Sequence, residues 1–415
     1  MSEPSPWSEG VVQANQQLKK SILGALSETL NRDPAADLTR LLEEQSRAYV
    51  LLRSDLGESA ALKQYSQSCS DQASASDDET GDDWSSMLLD NSSTIQVDHA
   101  LDSRILELAC TDEPRQRLSK LLSFPTEDGL SQDHFSAGLN AALRQGEILW
   151  RLYETVVVGL RADVVVKIST SLDSDGISNL EYLNTHIPSV PAPILLGSIT
   201  CGRRSYVFMT RGRGETLEAM WPGLTESDKR DVQAQLCQIF QDLRRGPRNP
   251  AQATAQSSPP TRMGSFVSAV CKDTRRIQRV SAVPILDEGA FNDFLVEPPP
   301  RRSKPAGIRM LRPVMRDDHP IVMTHADLHP RNIMAEWVDN GESGQAKPGK
   351  TCKITSILDW DMAGWYPSYW EFVKAMCNAA PRGPLADWPE YLATDAIGTW
   401  PVEYALDSLI GRWLG

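Results

Sequence analysis

Two β-branched runs that lie close together place the tightest limit on how this chain can fold. Residues 155–160 are TVVVGL and residues 163–168 are DVVVKI, with a short Gly-Leu-Arg-Ala connection at 159–162. Valine and isoleucine favour extended backbone, and a connection this short favours an antiparallel hairpin. A short helix over 174–185 and strands over 194–198 and 205–209 follow. Residues 147–210 therefore predict a small, mostly antiparallel sheet that carries one helix.

The pattern after residue 211 is mainly helical. Thr225 is a predicted N-cap with Asp228 three residues later, an apolar stripe runs from Val232 to Leu243, and Gly246 ends the helix. Further predicted elements are strands over 321–324, 332–335 and 354–358, helices over 368–380 and 402–414, and loops over 247–262, 297–307 and 341–350. The sequence thus predicts an α+β fold.

The first hundred residues differ from the rest in composition. Residues 1–65 are helix-prone, but residues 66–93 have few apolar side chains and contain seven acidic residues with no Lys or Arg. Such a segment cannot bury enough apolar surface to offset the entropy of ordering, so we expect a disordered linker or solvated loop. It also holds more than half of the net charge of −13.

Composition excludes several classes of protein. An acidic chain argues against nucleic acid and membrane surfaces as partners, and no run of 18 apolar residues predicts a transmembrane helix. The first residues lack the basic and apolar regions of a secretory signal. The seven cysteines are scattered without a C-x-x-C pair, which favours free thiols in a reducing, cytoplasmic setting over disulfides or a zinc site.

The most informative motif is HADLHPRNI at residues 325–333, a tight loop between two predicted strands. It places Asp327 five residues before Asn332, and Asp359 follows at the end of a later strand. Phosphoryl transfer needs a base that orients the attacking hydroxyl and oxygen ligands that hold Mg²⁺. We therefore interpret Asp327 as the base, and Asn332 and Asp359 as metal ligands.

The cationic part of such a site is predicted in the small sheet. Lys167 ends the Val164–Val166 run, and its ammonium would pair with nucleotide phosphates. A carboxylate on a helix could hold the lysine in position, and Glu181, 14 residues downstream, is the natural partner. An exposed strand-end lysine and an exposed helix glutamate are the plain alternatives for these two residues.

These motifs together resemble the aminoglycoside phosphotransferase and choline kinase-like family, especially its fungal-type branch. The residues that carry the resemblance are 324–333 (THADLHPRNI), 357–367 (ILDWDMAGWYP), 369–375 (YWEFVKA) and 290–295 (AFNDFL), within a similarity that covers roughly 147–415. The resemblance implies a bilobal protein-kinase-like fold. It also implies transfer of the γ-phosphate of ATP, with Mg²⁺, to a hydroxyl of a small-molecule acceptor.

The resemblance also assigns roles to residues. It makes Asp327 the catalytic base, Asn332 and Asp359 the magnesium ligands, and Lys167 with Glu181 the phosphate-binding pair. The segment 206–211, with Met209 and Arg211, would be the strand and hinge beside the adenine, and His325 a histidine that supports the loop backbone. Two departures are Ala326, where the family usually has glycine, and the absence of a G-x-G-x-x-G loop before Lys167.

Other residues of these motifs have two possible interpretations each. His325 and His329 are four residues apart and could form a metal pair on a helix, but Pro330 favours a loop and structural roles. Asp361 could assist the metal or the substrate, although a solvated turn carboxylate is the simpler interpretation. The nearby Trp360, Trp365, Tyr366 and Trp370 could stack on a substrate, although packing beneath the loop is the simpler role.

Three functional hypotheses result. The first is an ATP- and Mg²⁺-dependent small-molecule kinase with an N-terminal extension (1–100), an N-lobe with lead-in helices (101–210) and a C-lobe (211–415). The alternative is a weak or inactive kinase-like nucleotide-binding scaffold, which the missing glycine loop favours. A protein kinase is a third hypothesis, against which the absence of D-F-G and A-P-E triplets counts. Neither the acceptor nor the oligomeric state can be deduced from the sequence.

Overall fold

The computed structural model describes residues 87–90, 92–109, 130–152, 155–170, 174–246, 262–273, 279–298, 303–339, 350–378 and 382–414. The helix-prone segment 1–65 and the acidic stretch up to residue 86 lie outside these residues. None of the helices in the described ranges is both long enough and apolar enough to span a bilayer.

Six antiparallel strands form the sheet of the N-lobe, in the order β1-β5-β6-β4-β3-β2. The elements of this lobe, in chain order, are β1 (Ile95–His99), α1 (Ser103–Ala109), α2 (Leu130–Gln145), β2 (Glu147–Leu152), β3 (Thr155–Arg161), β4 (Val164–Ser169), α3 (Ser174–His186), β5 (Leu195–Cys201) and β6 (Arg204–Thr210).

The predicted β-branched hairpin is confirmed as β3 and β4. Val158 and Val166 face each other in register and are fully buried. The turn is shorter than predicted, because residues 159–161 continue β3 through a bulge and only Ala162 and Asp163 form the turn. One face of the sheet thus encloses the N-lobe core, while alternate side chains such as Lys167 point the other way.

The end of the acidic segment is ordered, which corrects the prediction of a solvated stretch as far as residue 93. Met87 and Leu89 are buried in the N-lobe core, and the Leu89 N–H donates to Asn140 Oδ1 at 2.8 Å. Strand β1 pairs with β5 although it lies in the segment assigned to the extension. The apolar side chains of Met87 and Leu89 explain the difference, because their packing into the N-lobe core stabilises an ordered backbone.

The C-lobe is mainly helical. Its elements, in chain order, are β7 (Glu215–Thr216), α4 (Leu217–Met220), α5 (Glu226–Arg245), β8 (Lys272–Asp273), β9 (Arg279–Val280), α6 (Glu288–Leu295), α7 (Ala306–Leu311), β10 (Ile321–Thr324), β11 (Ile333–Asp339), β12 (Lys350–Ile357), β13 (Gly364–Pro367), α8 (Trp370–Cys377), α9 (Thr394–Ile397) and α10 (Pro401–Leu414). The predicted α+β, bilobal arrangement is therefore confirmed.

Helix α5 forms as its sequence predicts. The Thr225 hydroxyl accepts from the Asp228 N–H while the Asp228 carboxylate accepts from the Thr225 N–H, and Gly246 is the C-cap. The loop predicted over 297–307 is wrong at its end, because Ala306 and Gly307 begin α7, where Gly307 packs beneath Trp413. Residues 247–261 and 340–349 lie outside the described part of the chain.

Two short connections and one strand of this fold converge. Strand β10 pairs with β13 and leads into residues 325–332, which end in a 3₁₀ turn over Pro330–Asn332. Strand β12 pairs with β11 and leads into residues 358–361. Strand β4 brings Lys167 from the other lobe to the same place.

Candidate active site

Residues 325–327 form a strained turn that is fixed by a buried carboxylate. Ala326 is fully buried and has a left-handed backbone, φ 63°. One oxygen of Glu371, on α8, accepts the His325 N–H at 2.7 Å and the Ala326 N–H at 3.3 Å. Burial raises the pKa of Glu371 above its ordinary value, against the effect of His325 and these donors. The turn leads directly into Asp327, which is only partly buried.

His325 joins this loop to the loop that follows β12. Its Nε2 donates to the Leu358 carbonyl at 2.9 Å, and its Nδ1 accepts the Asp327 N–H at 3.2 Å. Both ring nitrogens are thus used on backbone groups. The ring also packs edge-on against Trp360, with 4.6 Å between ring centroids.

His329 caps the start of the 3₁₀ turn that follows it. Its Nδ1 accepts the Arg331 N–H at 3.1 Å at the start of the 3₁₀ turn. Burial, with a smaller contribution from Arg331, lowers the pKa of His329 to about 4, so the ring is neutral near pH 7. Pro330 continues directly into that turn, so His325 and His329 do not share a helix.

The Asp327 carboxylate is held on both oxygens by amides. Asn332 Nδ2 donates to Asp327 Oδ2 at 2.8 Å and to the Asp327 carbonyl at 2.9 Å. Asn378 Nδ2 donates to Asp327 Oδ1 at 3.3 Å. The carboxylate is only partly buried, so its remaining lone pairs can accept a hydroxyl from a ligand.

Asp359 lies on the neighbouring loop, tied to the loop of Asn332 by backbone. The Leu358 N–H donates to the Asn332 carbonyl at 2.7 Å. Asp359 itself has a left-handed backbone, φ 63°, and its side chain is 46% exposed. The fold therefore places Asn332 and Asp359 on adjacent loops at the cleft.

Lys167 reaches this second loop from the N-lobe. Its Nζ lies 2.5 Å from Asp361 Oδ2 and 3.6 Å from Asp359 Oδ1. Burial disfavours the ammonium, but the two carboxylates outweigh it and hold the pKa of Lys167 above its ordinary value. Burial raises the pKa of Asp361 in turn, although Lys167 opposes that shift. Lys167 is thus a charged lysine that is shared between two carboxylates.

The structure does not bring Glu181 to Lys167. Glu181 Oε1 lies 3.8 Å from His99 Nε2 of β1, and its side chain is 48% exposed. At 3.6 residues per turn, position 181 points about 140° away from Gly176, the residue of α3 that faces Asp361. A Cβ at Gly176 would collide with the Asp361 carboxylate, so this face of the helix has no room for a glutamate.

A buried asparagine links α3 to the site instead. Asn179 Nδ2 donates to the Trp360 and Ala363 carbonyls at 3.2 and 2.9 Å. Its Oδ1 accepts from Ser265 Oγ and the Phe266 N–H, both at 2.9 Å. The amide thereby satisfies groups on both the loop after β12 and the segment at 265–266.

Met209 and Arg211 lie where the N-lobe sheet leads into the C-lobe. Met209 pairs in register with Val165, which lies two residues before Lys167 and on the same side of β4. Arg211 Nη2 donates to Glu147 Oε2 at 2.9 Å, which joins the connection to β2. Both residues are partly buried, and Met209 packs against the apolar cluster that includes Leu180 and Leu183.

The donor set of the site suits a hard cation. Asp359 and Asp361 share one ammonium, that of Lys167, which leaves one negative charge uncompensated between them. Among the described residues, no three His, Cys, Asp or Glu side chains cluster as a closed metal site. Mg²⁺ commonly takes one or two protein carboxylates and completes its shell with phosphates and water. Asn332 and Asp359 fit that pattern.

Family membership follows from residues 177–406. They match the model of the phosphotransferase enzyme family abbreviated APH, over more than half of the chain. The chain belongs to this phosphotransferase family. The matched range contains both loops of the site, begins after Lys167, and does not distinguish the fungal-type branch.

Solved aminoglycoside phosphotransferases are the distant structural neighbours of this phosphotransferase. APH(4)-Ia is 14% identical with a TM-score of 0.40, covering 64% of this chain and 83% of its own. The streptomycin–ATP complex of APH(2")-IIa is 11% identical with a TM-score of 0.39, covering 70% and 86%. An aminoglycoside-3'-phosphotransferase of type VIII is 14% identical with a TM-score of 0.40, covering 66% and 98%. No curated protein matches the sequence.

Sequence reasoning missed several residues that shape the site. Asp361 contacts Lys167 directly, whereas a solvated carboxylate was the simpler expectation. The spacing of Gly176 and Asn179 on one face of α3 was available as a signal. Glu371 and Asn378 contact the loop of Asp327 only through tertiary packing, and no local pattern could have identified those contacts.

Proposed function

We propose that this phosphotransferase is an ATP- and Mg²⁺-dependent kinase that transfers the γ-phosphate to a hydroxyl of a small molecule. The observation that carries the proposal is the convergence of Lys167 on Asp359 and Asp361, next to the loop that holds Asp327 and Asn332. Membership of the family supports phosphoryl transfer as the reaction class. Free cysteines at the five described positions agree with a reducing, cytoplasmic setting.

Each residue has a distinct role in this proposal. The acceptor hydroxyl donates its hydrogen bond to Asp327, which takes the proton as the oxygen attacks the γ-phosphorus and ADP departs. Lys167 exchanges part of its contact with Asp361 for the nucleotide phosphates. Asn332 and Asp359 would hold Mg²⁺, which supplies positive charge opposite the phosphate oxygens when bound.

The nucleotide base would lie near the face of the N-lobe sheet from which Lys167 projects. Met209 and Val165 present side chains on the side from which Lys167 projects, and Arg211 borders them at the connection to the C-lobe. Glu181 does not contribute to the phosphate site in this proposal. The division at residue 210 remains a proposal for the boundary between the lobes. The boundary predicted at residue 100 is proposed to lie before Met87 instead, because Met87, Leu89 and β1 belong to the N-lobe.

The test is phosphoryl transfer from MgATP to a panel of polyhydroxylated small molecules, with MgATP affinity measured in parallel by calorimetry. We expect Asp327→Asn to lower kcat by about 100-fold or more, because a positioned base contributes about 10²–10⁴-fold, while MgATP affinity stays within about twofold. Asp231→Asn, on the exposed face of α5, is the matched control for loss of a carboxylate.

Equal kcat for wild type and Asp327→Asn on a confirmed acceptor would refute the assignment of the base.

The scaffold alternative is favoured by the sequence before Lys167, where Gly159 is the sole glycine between residues 147 and 166. It predicts MgATP binding by the wild type with no transfer to any acceptor and no hydrolysis.

A further inference from the structure

Helix α8 contacts the Asp327 loop at both of its ends. Glu371 lies in its first turn and accepts the N–H groups of His325 and Ala326. Asn378 is its C-cap residue and donates to Asp327 Oδ1. Residues 371 and 378 are separated by seven positions, about two helical turns, so they project from the same face of α8.

The two contacts fix different parts of the same residue. Glu371 fixes the backbone that precedes Asp327, including Ala326, whose left-handed conformation is unfavourable for an L-residue. Asn378 fixes the rotation of the Asp327 carboxylate from the side opposite Asn332. With Asn332 on Oδ2 and Asn378 on Oδ1, the plane of the carboxylate is set before a ligand arrives.

We propose that Glu371 and Asn378 are positioning residues, through which α8 aims the Asp327 carboxylate at the acceptor hydroxyl. This inference rests on the proposed function, since it assigns the means by which the base is oriented. Helix α8 is a firm support for that task, because Trp370 and Val373 are fully buried in the C-lobe core. Catalytic groups must be held close to the productive geometry, and a packed helix holds them better than a loop.

The first test is kinetic, on the full chain with an acceptor confirmed for the wild type. We expect Asn378→Ala to lower kcat by about 10- to 100-fold, as for the loss of a hydrogen bond to a charged group, with MgATP affinity within about twofold. Asn378→Asp should lower kcat further, because it replaces the donor by a like charge. Gln238→Ala, an exposed amide on α5, is the matched control.

A double-mutant cycle separates positioning from a general structural role. If Asn378 acts through Asp327, then Asn378→Ala should lower the residual rate of the Asp327→Asn enzyme by less than about twofold. An equal loss in both backgrounds, or a joint fall of kcat and MgATP affinity, would overturn the role of Asn378.

Glu371 has a rescue test of its own. We expect Glu371→Ala to lower kcat more than Glu371→Gln, which retains an acceptor for the two N–H groups. Adding Ala326→Gly to Glu371→Ala should recover part of the loss, since glycine adopts the left-handed conformation without strain. A general loss of packing would not respond to a change at residue 326, and absence of rescue would contradict the proposal.

Hydrogen exchange provides a readout that does not depend on turnover. Glu371→Ala should raise amide exchange in residues 322–333, while exchange in α5 stays as in the wild type. If phosphoryl transfer depends on Asp327 but is unchanged by substitution of Glu371 and of Asn378, the positioning role is refuted while the proposed function is retained. If the wild type neither transfers phosphate from MgATP to an acceptor nor hydrolyses MgATP, the proposed function fails. In that case, unchanged amide hydrogen exchange in Glu371→Ala would refute the role of α8 as a support for the Asp327 loop.

Discussion

Two residues of the candidate site, Ala326 and Asp359, hold a backbone conformation that L-residues seldom adopt. Each has φ 63°, and each lies on one of the two loops that meet at the cleft. Strain of this kind costs about 1–3 kcal/mol per residue and persists only where the surroundings enforce it. For Ala326 the enforcing group is Glu371; for Asp359 it is the neighbouring Leu358 N–H, which is held by Asn332.

Substitutions at residue 326 test this strain. Ala326→Gly relieves the left-handed conformation but loses a buried methyl, worth about 0.8 kcal/mol, and adds freedom to the unfolded chain, worth about 0.4–1 kcal/mol. We therefore expect a free energy of unfolding within about 1 kcal/mol of the wild type. Ala326→Val should be destabilising by more than about 2 kcal/mol, because a β-branched side chain is both strained and overpacked there. Urea denaturation measures both, and equal stability of the two variants would contradict the strain.

Helix α3 contacts the candidate site through Asn179 and not through Glu181. The amide of Asn179 is fully buried and bonded on both its nitrogen and its oxygen, whereas Glu181 is half exposed. The rotation of α3 follows from its packing, because Leu180 and Leu183 enter the core and fix which face turns to Asp361. The loop after β12 is thereby attached to the N-lobe.

This difference predicts contrasting variants of α3. Asn179→Ala leaves buried polar groups without partners, so we expect about 2–4 kcal/mol of destabilisation and weaker MgATP binding. Glu181→Gln should leave MgATP affinity within about twofold, because its contact is with His99, away from Lys167. Calorimetry with MgATP and denaturation of both variants provide the comparison. A loss of nucleotide affinity in Glu181→Gln larger than in Asn179→Ala would show that the helix works in another orientation when nucleotide is bound.

Across the two lobes, the sequence predicted local features well and long-range contacts poorly. The loop with Asp327 and Asn332, the strand with Lys167 and the capping of α5 are each encoded within about ten residues. The partner of Lys167 depends on how α3 is rotated against the core, and the supports of Asp327 come from α8, about 45–50 positions away. Such contacts arise only when separate elements pack, which no local pattern reports.

The same reasoning applies to the acidic N-terminal region. The composition of residues 66–93 predicts one solvated stretch, yet Met87 and Leu89, near its end, are buried in the N-lobe core. The negative charge of the candidate site is local and lies in Asp327, Asp359 and Asp361. Net charge therefore says little about the candidate site, where two carboxylates share one lysine.

A crystal structure with Mn²⁺ and a non-hydrolysable ATP analogue, with the metal located by its anomalous signal, tests the assignment of Lys167, Asn332 and Asp359 to the nucleotide and metal site. We predict a metal peak within coordination distance of oxygens of Asn332 and Asp359. We also predict that Lys167 Nζ contacts a phosphate oxygen and that Asp327 faces the γ-phosphate across an open acceptor space. A nucleotide bound away from Lys167, or a metal whose ligands include neither Asn332 nor Asp359, would contradict the account.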